Sequence, residues 1–270
     1  MVKKNALAAS KQWERSHQKI TKAGRLTLSG TVRLFSWLFF FAFEYLAMAL
    51  MQGSVLMTGR DRYLLLFCGF LLAYSFIRFG LQAMAKVKAG LHSSATSLKK
   101  GFSLKTINWP TLSELGYIAS VYLIALAGMM VWGMLENLFL AKWASSTTEN
   151  QAAIDGLMNA GGQYSTVVLS FIIVFLGPVM EELLFRGLFF RYFNWAKAPW
   201  VTIIASGLLF GLYHLNSYTW LSLLDLPPYL IIGTGLAYAY QKTGKLSSSI
   251  LMHIFHNGWV QAASLLMLLH

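Results

Sequence analysis

The sequence predicts an all-α fold, a polytopic membrane helix bundle of about seven transmembrane helices with its functional site inside the bundle. Three observations support this. The 270 residues are 56% hydrophobic and only 12% charged, about half the charged share of soluble domains. The mean hydropathy is +0.54. Several apolar runs approach the ~20 residues needed to cross a bilayer, and the basic residues cluster between these runs.

The elements follow from the apolar runs. The chain divides into a basic cytoplasmic N-terminal segment at 1–33, N-terminal helices and loops at 34–163, and a C-terminal core at 164–270. Spans are predicted at 34–52, 63–84, 115–135, 164–195, 200–215, 220–240 and 247–269. The polar stretch 136–162 is read as a connection. Pro199 ends the fourth span, and Pro227-Pro228 predict a kink in the sixth.

The distribution of basic residues predicts the orientation. Only Arg60, Arg62 and Lys142 of the 22 Lys and Arg residues fall on the side opposite the N-terminus. Basic residues favour the cytoplasmic side, so we expect an integral protein of a bacterial plasma membrane with its N-terminus in the cytoplasm. The same distribution points to the lipid bilayer as the partner of the basic residues and not to nucleic acid. Cys68 is the lone cysteine, so no disulfide forms within the chain. The oligomeric state is unknown from the sequence.

Two adjacent acids, Glu181 and Glu182, end an uncharged run that begins at Tyr164. An ionised carboxylate away from water loses its hydration, so this placement requires a compensating partner. Arg186 lies four residues after Glu182, on the same face of a helix, and can pair with it. Glu181 is rotated by about 100° and is left free for chemistry.

Two further polar clusters lie in apolar runs, His214 and the pair His253 and Asn257 at i and i+4. Glu181 lies 17 residues before Ala198 and His214 lies 16 residues after it. Two antiparallel helices joined there bring Glu181 and His214 to equal depth, roughly 20 Å from the turn. We therefore expect one pocket within the membrane, nearer the cytoplasmic side.

Such a pocket suits the activation of water. A carboxylate beside an imidazole can hold a water molecule and remove its proton. A second imidazole and an amide are suitable donors to a developing oxyanion. Zinc ligation by one Glu and two His residues is the alternative, although the sequence has no His-Glu-x-x-His helix.

Three motifs in this order carry a resemblance: Glu181-Glu182-x-x-x-Arg186, Phe210-x-x-x-His214 and His253-x-x-x-Asn257. The stretch from Tyr164 to Leu269 resembles the CPBP family of intramembrane proteases, also called the CAAX-protease, bacteriocin-processing or Abi family. The resemblance implies a glutamate-dependent peptidase. Its eukaryotic members trim prenylated C-terminal tripeptides, and bacterial relatives are associated with peptide maturation or bacteriocin self-immunity.

The resemblance also implies roles for individual residues. Glu181 would be the catalytic base and His214 its partner on the water. His253 and Asn257 would form the oxyanion site. Glu182 and Arg186 would be a supporting pair, with Phe210 packing beneath His214. No cofactor is required in this scheme, and the expected partner is a peptide or membrane-protein substrate.

Two other functions remain open on the sequence alone. A catalytically silent relative could act as a membrane scaffold or bacteriocin-immunity protein, and a proton-coupled transporter could use the buried acids and histidines as a relay. Glu44 and Asp225 are read as intramembrane acids that are protonated or hydrogen-bonded inside the bundle, with a substrate path as the alternative. His256 is read as mainly structural.

Overall fold

The chain is described here by a computed structural model over residues 28–87, 108–143, 145, 147–195 and 197–268. These residues form seven helices that pack into one bundle. Their bounds are α1 Gly30–Gly53, α2 Gly59–Lys86, α3 Leu112–Phe139, α4 Glu149–Phe193, α5 Pro199–Tyr213, α6 Leu226–Thr243 and α7 Leu246–Leu268. Short 3-10 turns, Ser54–Leu56 and Ser222–Asp225, follow α1 and precede α6.

The predicted all-α membrane bundle is confirmed, and each predicted span falls on one helix. Within the described part of the chain, four helical segments are long and apolar enough to cross a membrane: Gly30–Leu56, Gly59–Lys86, Leu112–Phe139 and Glu149–Phe193. The helix α5 is apolar but has only 15 residues. Most of the predicted N-terminal segment lies outside the described residues.

The stretch read as a connection at 136–162 is mostly helical, so that prediction was wrong. The helix α4 begins at Glu149, where the Thr148 hydroxyl accepts a hydrogen bond of 3.3 Å from the Gln151 amide. It is kinked at Gly162, whose φ of 62° suits a residue without a side chain. The polar composition concealed an amphipathic helix that buries Met158 in a small apolar cluster.

The predicted kink at Pro227-Pro228 is also absent. Both prolines stand in the first turn of α6, where a missing backbone N–H leaves no helical hydrogen bond unmade. They start the helix and do not bend it. Asp225 therefore precedes α6 and does not lie within a span, which corrects its predicted intramembrane position.

Glycines bring α5 and α6 into close contact. A Cβ at Gly207 would collide with Thr234 Oγ1, and one at Gly211 would lie 2.8 Å from Leu226 Cδ1. A Cβ at Gly233, on the facing side, would lie 3.1 Å from the Gly207 carbonyl oxygen. Gly207 and Gly211 are four residues apart and so pack from one face of α5. This contact fixes the end of α5, which presents His214.

The helix α4 is irregular on both sides of its two acids. It widens to π-helical geometry at Ile172–Leu176 and again at Leu183–Leu188. Such stretches change the pairing of backbone carbonyls, and they are frequent at functional sites. In the second stretch, Trp37 Nε1 donates to the Leu184 carbonyl at 3.2 Å. Side chains from neighbouring helices thus bond the backbone of α4 inside the bundle.

We expect Gly207→Ala to destabilise the protein, because the new methyl group meets the Thr234 backbone nitrogen at 2.8 Å. Overpacking of this kind costs about 1–3 kcal/mol. Gly116→Ala is the matched control, since Gly116 lies in helix α3 with nothing within 4 Å of its Cβ position. Thermal unfolding in detergent should show a lower Tm for Gly207→Ala and an equal or higher Tm for Gly116→Ala. Equal Tm values for both variants would contradict the close contact.

Candidate active site

The predicted ion pair between Glu182 and Arg186 is present and fully buried. Arg186 Nη1 donates to Glu182 Oε1 at 2.7 Å, with both side chains 0% exposed. Arg186 Nη2 donates to the Gly233 carbonyl at 2.7 Å, which ties α4 to α6. The guanidinium also lies 4.6 Å over the Phe210 ring. A buried pair needs further hydrogen bonds of this kind to offset the lost hydration of its charges.

Glu182 has a second partner that the sequence did not indicate. His253 Nδ1 lies 2.9 Å from Glu182 Oε1, the oxygen that already accepts from Arg186. The two residues are 71 positions apart, on α4 and α7. Only their convergence in space reveals the contact, because spacing along one helix cannot show it.

Glu181 faces two histidines. Its Oε2 lies 3.7 Å from His214 Nε2 and 3.8 Å from His253 Nε2. These separations are too long for direct hydrogen bonds, and Oε2 is buried without a hydrogen-bond partner among the described residues. The equal depth predicted for Glu181 and His214 is thus observed. An orphaned carboxylate oxygen between two imidazoles is suited to sharing a small polar molecule with them.

Hydrogen bonds assign the protonated nitrogen of both imidazoles. His214 Nδ1 lies 2.9 Å from the Phe210 carbonyl, which only accepts, so this nitrogen donates. His253 Nδ1 likewise donates to Glu182, whose pairing with Arg186 marks it as a carboxylate. In their neutral forms, both residues therefore present an unprotonated Nε2 towards Glu181.

Two aromatic rings pack against the imidazole ring of His214. The Phe210 ring lies 4.4 Å away by centroid distance, and the Tyr229 ring stacks at 4.8 Å with an interplanar angle of 22°. The Tyr229 hydroxyl is in turn 2.8 Å from the Thr148 hydroxyl. The contact with Phe210 matches the prediction, whereas Tyr229 was missed because no helical spacing links it to His214.

Asn257 lies on the wall of the same cavity, and a proline explains its orientation. Its Nδ2 donates to the Ile173 carbonyl at 2.9 Å, in the first π-helical stretch. In that geometry the carbonyl would pair with the backbone nitrogen of residue 178, but Pro178 has no N–H. One amide hydrogen of Asn257 meets this backbone requirement, and the second remains available.

Glu181, His214, His253 and Asn257 all line one cavity of about 500 Å³. Its walls also include Gln52, Met129, Thr147, Asn216, Tyr229 and Val260. Thr147 and Asn216 are exposed, so the cavity reaches the surface beside them. The 15 residues of α5 place His214 about 22 Å from Pro199, close to the depth of roughly 20 Å expected from the turn.

The two acids without an assigned role differ in position. Glu44 is 0% exposed, and the Tyr213 hydroxyl lies 3.2 and 3.0 Å from its two oxygens. This agrees with the prediction of a hydrogen-bonded acid inside the bundle. Asp225 accepts a bond of 2.8 Å from the Glu149 backbone amide, and so joins the start of α4 to the start of α6.

His256 is held by a chain of hydrogen bonds. Trp259 Nε1 donates to the Tyr122 hydroxyl at 2.5 Å, and that hydroxyl lies 3.3 Å from His256 Nδ1. Indole only donates, so the Tyr122 hydroxyl is the acceptor in its bond with Trp259. His256 also lines the cavity, so it is a wall residue held in place by Tyr122.

The described residues contain no group of three or more His, Cys, Asp or Glu side chains arranged to hold a metal ion. The zinc ligands considered from the sequence are Glu181, His214 and His253. Among them, Glu181 Oε2 lies 3.7 and 3.8 Å from Nε2 of the two histidines.

The fold and the site define a polytopic membrane protein with a buried glutamate facing two histidines. Comparison with known proteins agrees with that class. Residues 163–259 are similar to the family described as Type II CAAX prenyl endopeptidase Rce1-like. The matched residues include all three motifs, and they confirm the resemblance to the CAAX-protease family over this part of the chain.

Two curated relatives come from Lactococcus lactis subsp. lactis (strain IL1403). UPF0177 protein YbdI is 35% identical over 86 residues, which cover 32% of this chain and 43% of that protein. UPF0177 protein YaiF is 27% identical over 111 residues, which cover 40% and 44%. The chain therefore spans less than half the length of these relatives. No solved structure matches it significantly.

We expect Glu182→Gln to destabilise the protein strongly. The change leaves the buried Arg186 without its counter-charge, and breaking a buried pair in this way costs about 3–5 kcal/mol. Glu181→Gln is the matched control, because Glu181 forms no hydrogen bond through Oε2. Thermal unfolding in detergent should show a large fall in Tm for Glu182→Gln alone. A Tm equal to that of the unaltered protein would show that the pair does not support the fold.

Proposed function

We propose that this chain is an intramembrane, glutamate-dependent endopeptidase that hydrolyses a peptide bond of a membrane-associated peptide or protein. The observation that carries the proposal is the buried Glu181 Oε2, at 3.7 and 3.8 Å from Nε2 of His214 and His253. The similarity of residues 163–259 to Rce1-like endopeptidases supports the same reaction class.

The nucleophile in this mechanism is water. Glu181 Oε2 and His214 Nε2 are both acceptors that face one point, so a water molecule between them donates a hydrogen to each. As the water oxygen attacks the carbonyl carbon of the substrate, Glu181 takes its proton as a general base. Phe210 and Tyr229 keep the His214 ring in the orientation that this step needs.

Negative charge then develops on the carbonyl oxygen of the substrate. His253 can donate to it through Nε2 only as an imidazolium, because Nδ1 already donates to Glu182. The Glu182 carboxylate stabilises this charged form, as a buried carboxylate does for the histidine of a serine protease. The second amide hydrogen of Asn257 is the other donor. Glu181 finally passes its proton to the departing amine, and the peptide bond breaks.

We predict that Glu181→Gln abolishes hydrolysis while the Tm stays near that of the unaltered protein, because the change removes the base and keeps the Glu182 pair. Proteomes of cells that express each protein should differ in fragments of a membrane protein or peptide. If every fragment and any protective phenotype persist in Glu181→Gln, the chain acts by binding, as a silent scaffold or immunity protein would.

We predict that Asn257→Ala lowers the rate on the substrate identified in this way by about 10²–10³-fold, the usual effect of removing one oxyanion donor. Since Asn257 also bonds the Ile173 carbonyl, the rate is to be referred to the amount of folded protein. Thr166→Ala serves as a control, because the Thr166 hydroxyl bonds the carbonyl of Gly162 in the same helix and does not line the cavity. An Asn257→Ala rate within a few-fold of the unaltered rate would remove this residue from the oxyanion site.

We also propose that the reaction is independent of metal. Glu181, His214 and His253 are the residues that would hold zinc in the alternative scheme. Protein incubated at length with a strong chelator should keep its activity, and elemental analysis should find well under one zinc per chain. Stoichiometric zinc, with activity lost on stripping and restored by zinc alone, would favour the metal-dependent scheme.

A further inference from the structure

The cavity lies at one end of the bundle, and most of the basic residues that the structure describes near helix ends lie at the other end. We define the cavity end of the bundle as the end formed by the connections 54–58, 140–148 and 214–225. The basic end is the opposite end, formed by the connections 194–198 and 244–245. Thr147 and Asn216, two of the exposed residues that line the cavity, belong to the cavity end. Lys197 and Lys245 belong to the basic end.

Aromatic side chains mark the level of the membrane surface at both ends. At the cavity end, Trp143 and Trp220 are 43% and 56% exposed, with ring centroids 5.4 Å apart. At the basic end, Trp195 and Trp200 are 54% and 63% exposed. Exposed tryptophans concentrate at the two membrane–water interfaces. The mouth of the cavity is thus beside one interface, at the level of the Trp143–Trp220 pair.

Charge assigns the two ends to the two sides of the membrane. The connections of the cavity end carry only Arg60, Arg62 and Lys142 of the 22 basic residues, counting the start of α2 with its connection. In the sequence, the segments before α1 and between α2 and α3, which join helices at the other end, are rich in Lys and Arg, and such an excess marks the cytoplasmic side. The same assignment follows from Lys197 and Lys245 in the short connections of the basic end.

The walls of the cavity limit what can enter. Among the described residues that line it, Glu181 is the one carboxylate, and there is no Lys or Arg. Six wall residues carry a primary amide: Gln52, Asn150, Gln151, Asn216, Asn257 and Gln261. Side-chain amides both donate to and accept from a peptide backbone. Apart from Glu181 and the histidines of the site, the walls offer no counter-charge to a charged side chain inside the cavity.

We infer that the cavity opens to the extracytoplasmic side of the membrane, and that it admits an extended peptide segment with uncharged side chains at the cleavage site. The substrate is then an exported peptide or the outer part of a membrane protein. The exposed Tyr45 also lines the cavity, so a segment anchored in lipid reaches it beside α1. The substrate part of this inference rests on the proposed function, whereas the side of opening does not.

Thiol labelling tests the side of opening. Single cysteines are placed in a Cys68→Ser background by Asn216→Cys and Val260→Cys in the cavity, Lys142→Cys at the cavity end and Lys197→Cys at the basic end. A membrane-impermeant maleimide is then added to intact or permeabilised cells. We expect the first three variants to react in intact cells, and Lys197→Cys only after permeabilisation.

Two outcomes would overturn this part of the inference. The reverse pattern would show that the orientation is opposite. Labelling at Lys142→Cys without labelling at Asn216→Cys and Val260→Cys would show that the cavity is closed to that side. Adding Glu181→Gln to each variant should leave the labelling unchanged, so this measurement does not depend on peptidase activity.

The cleavage sites test the substrate class. Fragments that differ between cells with the unaltered protein and cells with Glu181→Gln should map to extracytoplasmic segments without charged residues beside the cut bond. Cuts in cytoplasmic or highly charged segments would overturn the substrate class and leave the peptidase function standing. External labelling without any such fragment would contradict the peptidase function and leave the side of opening standing.

Discussion

One oxygen atom, Glu182 Oε1, is the point on which the polar interior depends. It accepts hydrogen bonds from Arg186 at 2.7 Å and faces His253 Nδ1 at 2.9 Å. Through these contacts and the bond from Arg186 to the Gly233 carbonyl, helices α4, α6 and α7 share one network. Removing any one of these groups leaves another buried without its partner, which is the costly event inside a membrane.

The irregular geometry of α4 near this network leaves backbone carbonyls available that a regular helix would use within itself. Its carbonyls accept hydrogen bonds from neighbouring helices, including Asn257 to Ile173 and Ser206 to Phe185. Within a bilayer no water is available for such groups, so the partners must come from the protein. The irregular stretches therefore connect α4 to the helices around it and orient the side chain of Asn257 as well.

Sequence reasoning succeeded where the constraint was local or hydropathic. The spans follow from apolar runs, the Glu182 pair from i,i+4 spacing, and the equal depth of Glu181 and His214 from the distances to one turn. It failed where the answer depended on which helix packs beside which, as for His253 on Glu182 and Tyr229 on His214.

The charges of the site explain why two adjacent acids have different tasks in the proposed mechanism. With Arg186 positive, Glu181 and Glu182 ionised and His253 neutral, the cluster holds one excess negative charge. Low-dielectric surroundings disfavour such an excess. In the proposed mechanism His253 donates from Nε2, and Glu182 is the carboxylate that faces its other ring nitrogen at 2.9 Å. Replacing Glu182 would remove that carboxylate as well as the partner of Arg186, so the paired acid would support both the helix bundle and the donor on which the proposed reaction at Glu181 depends.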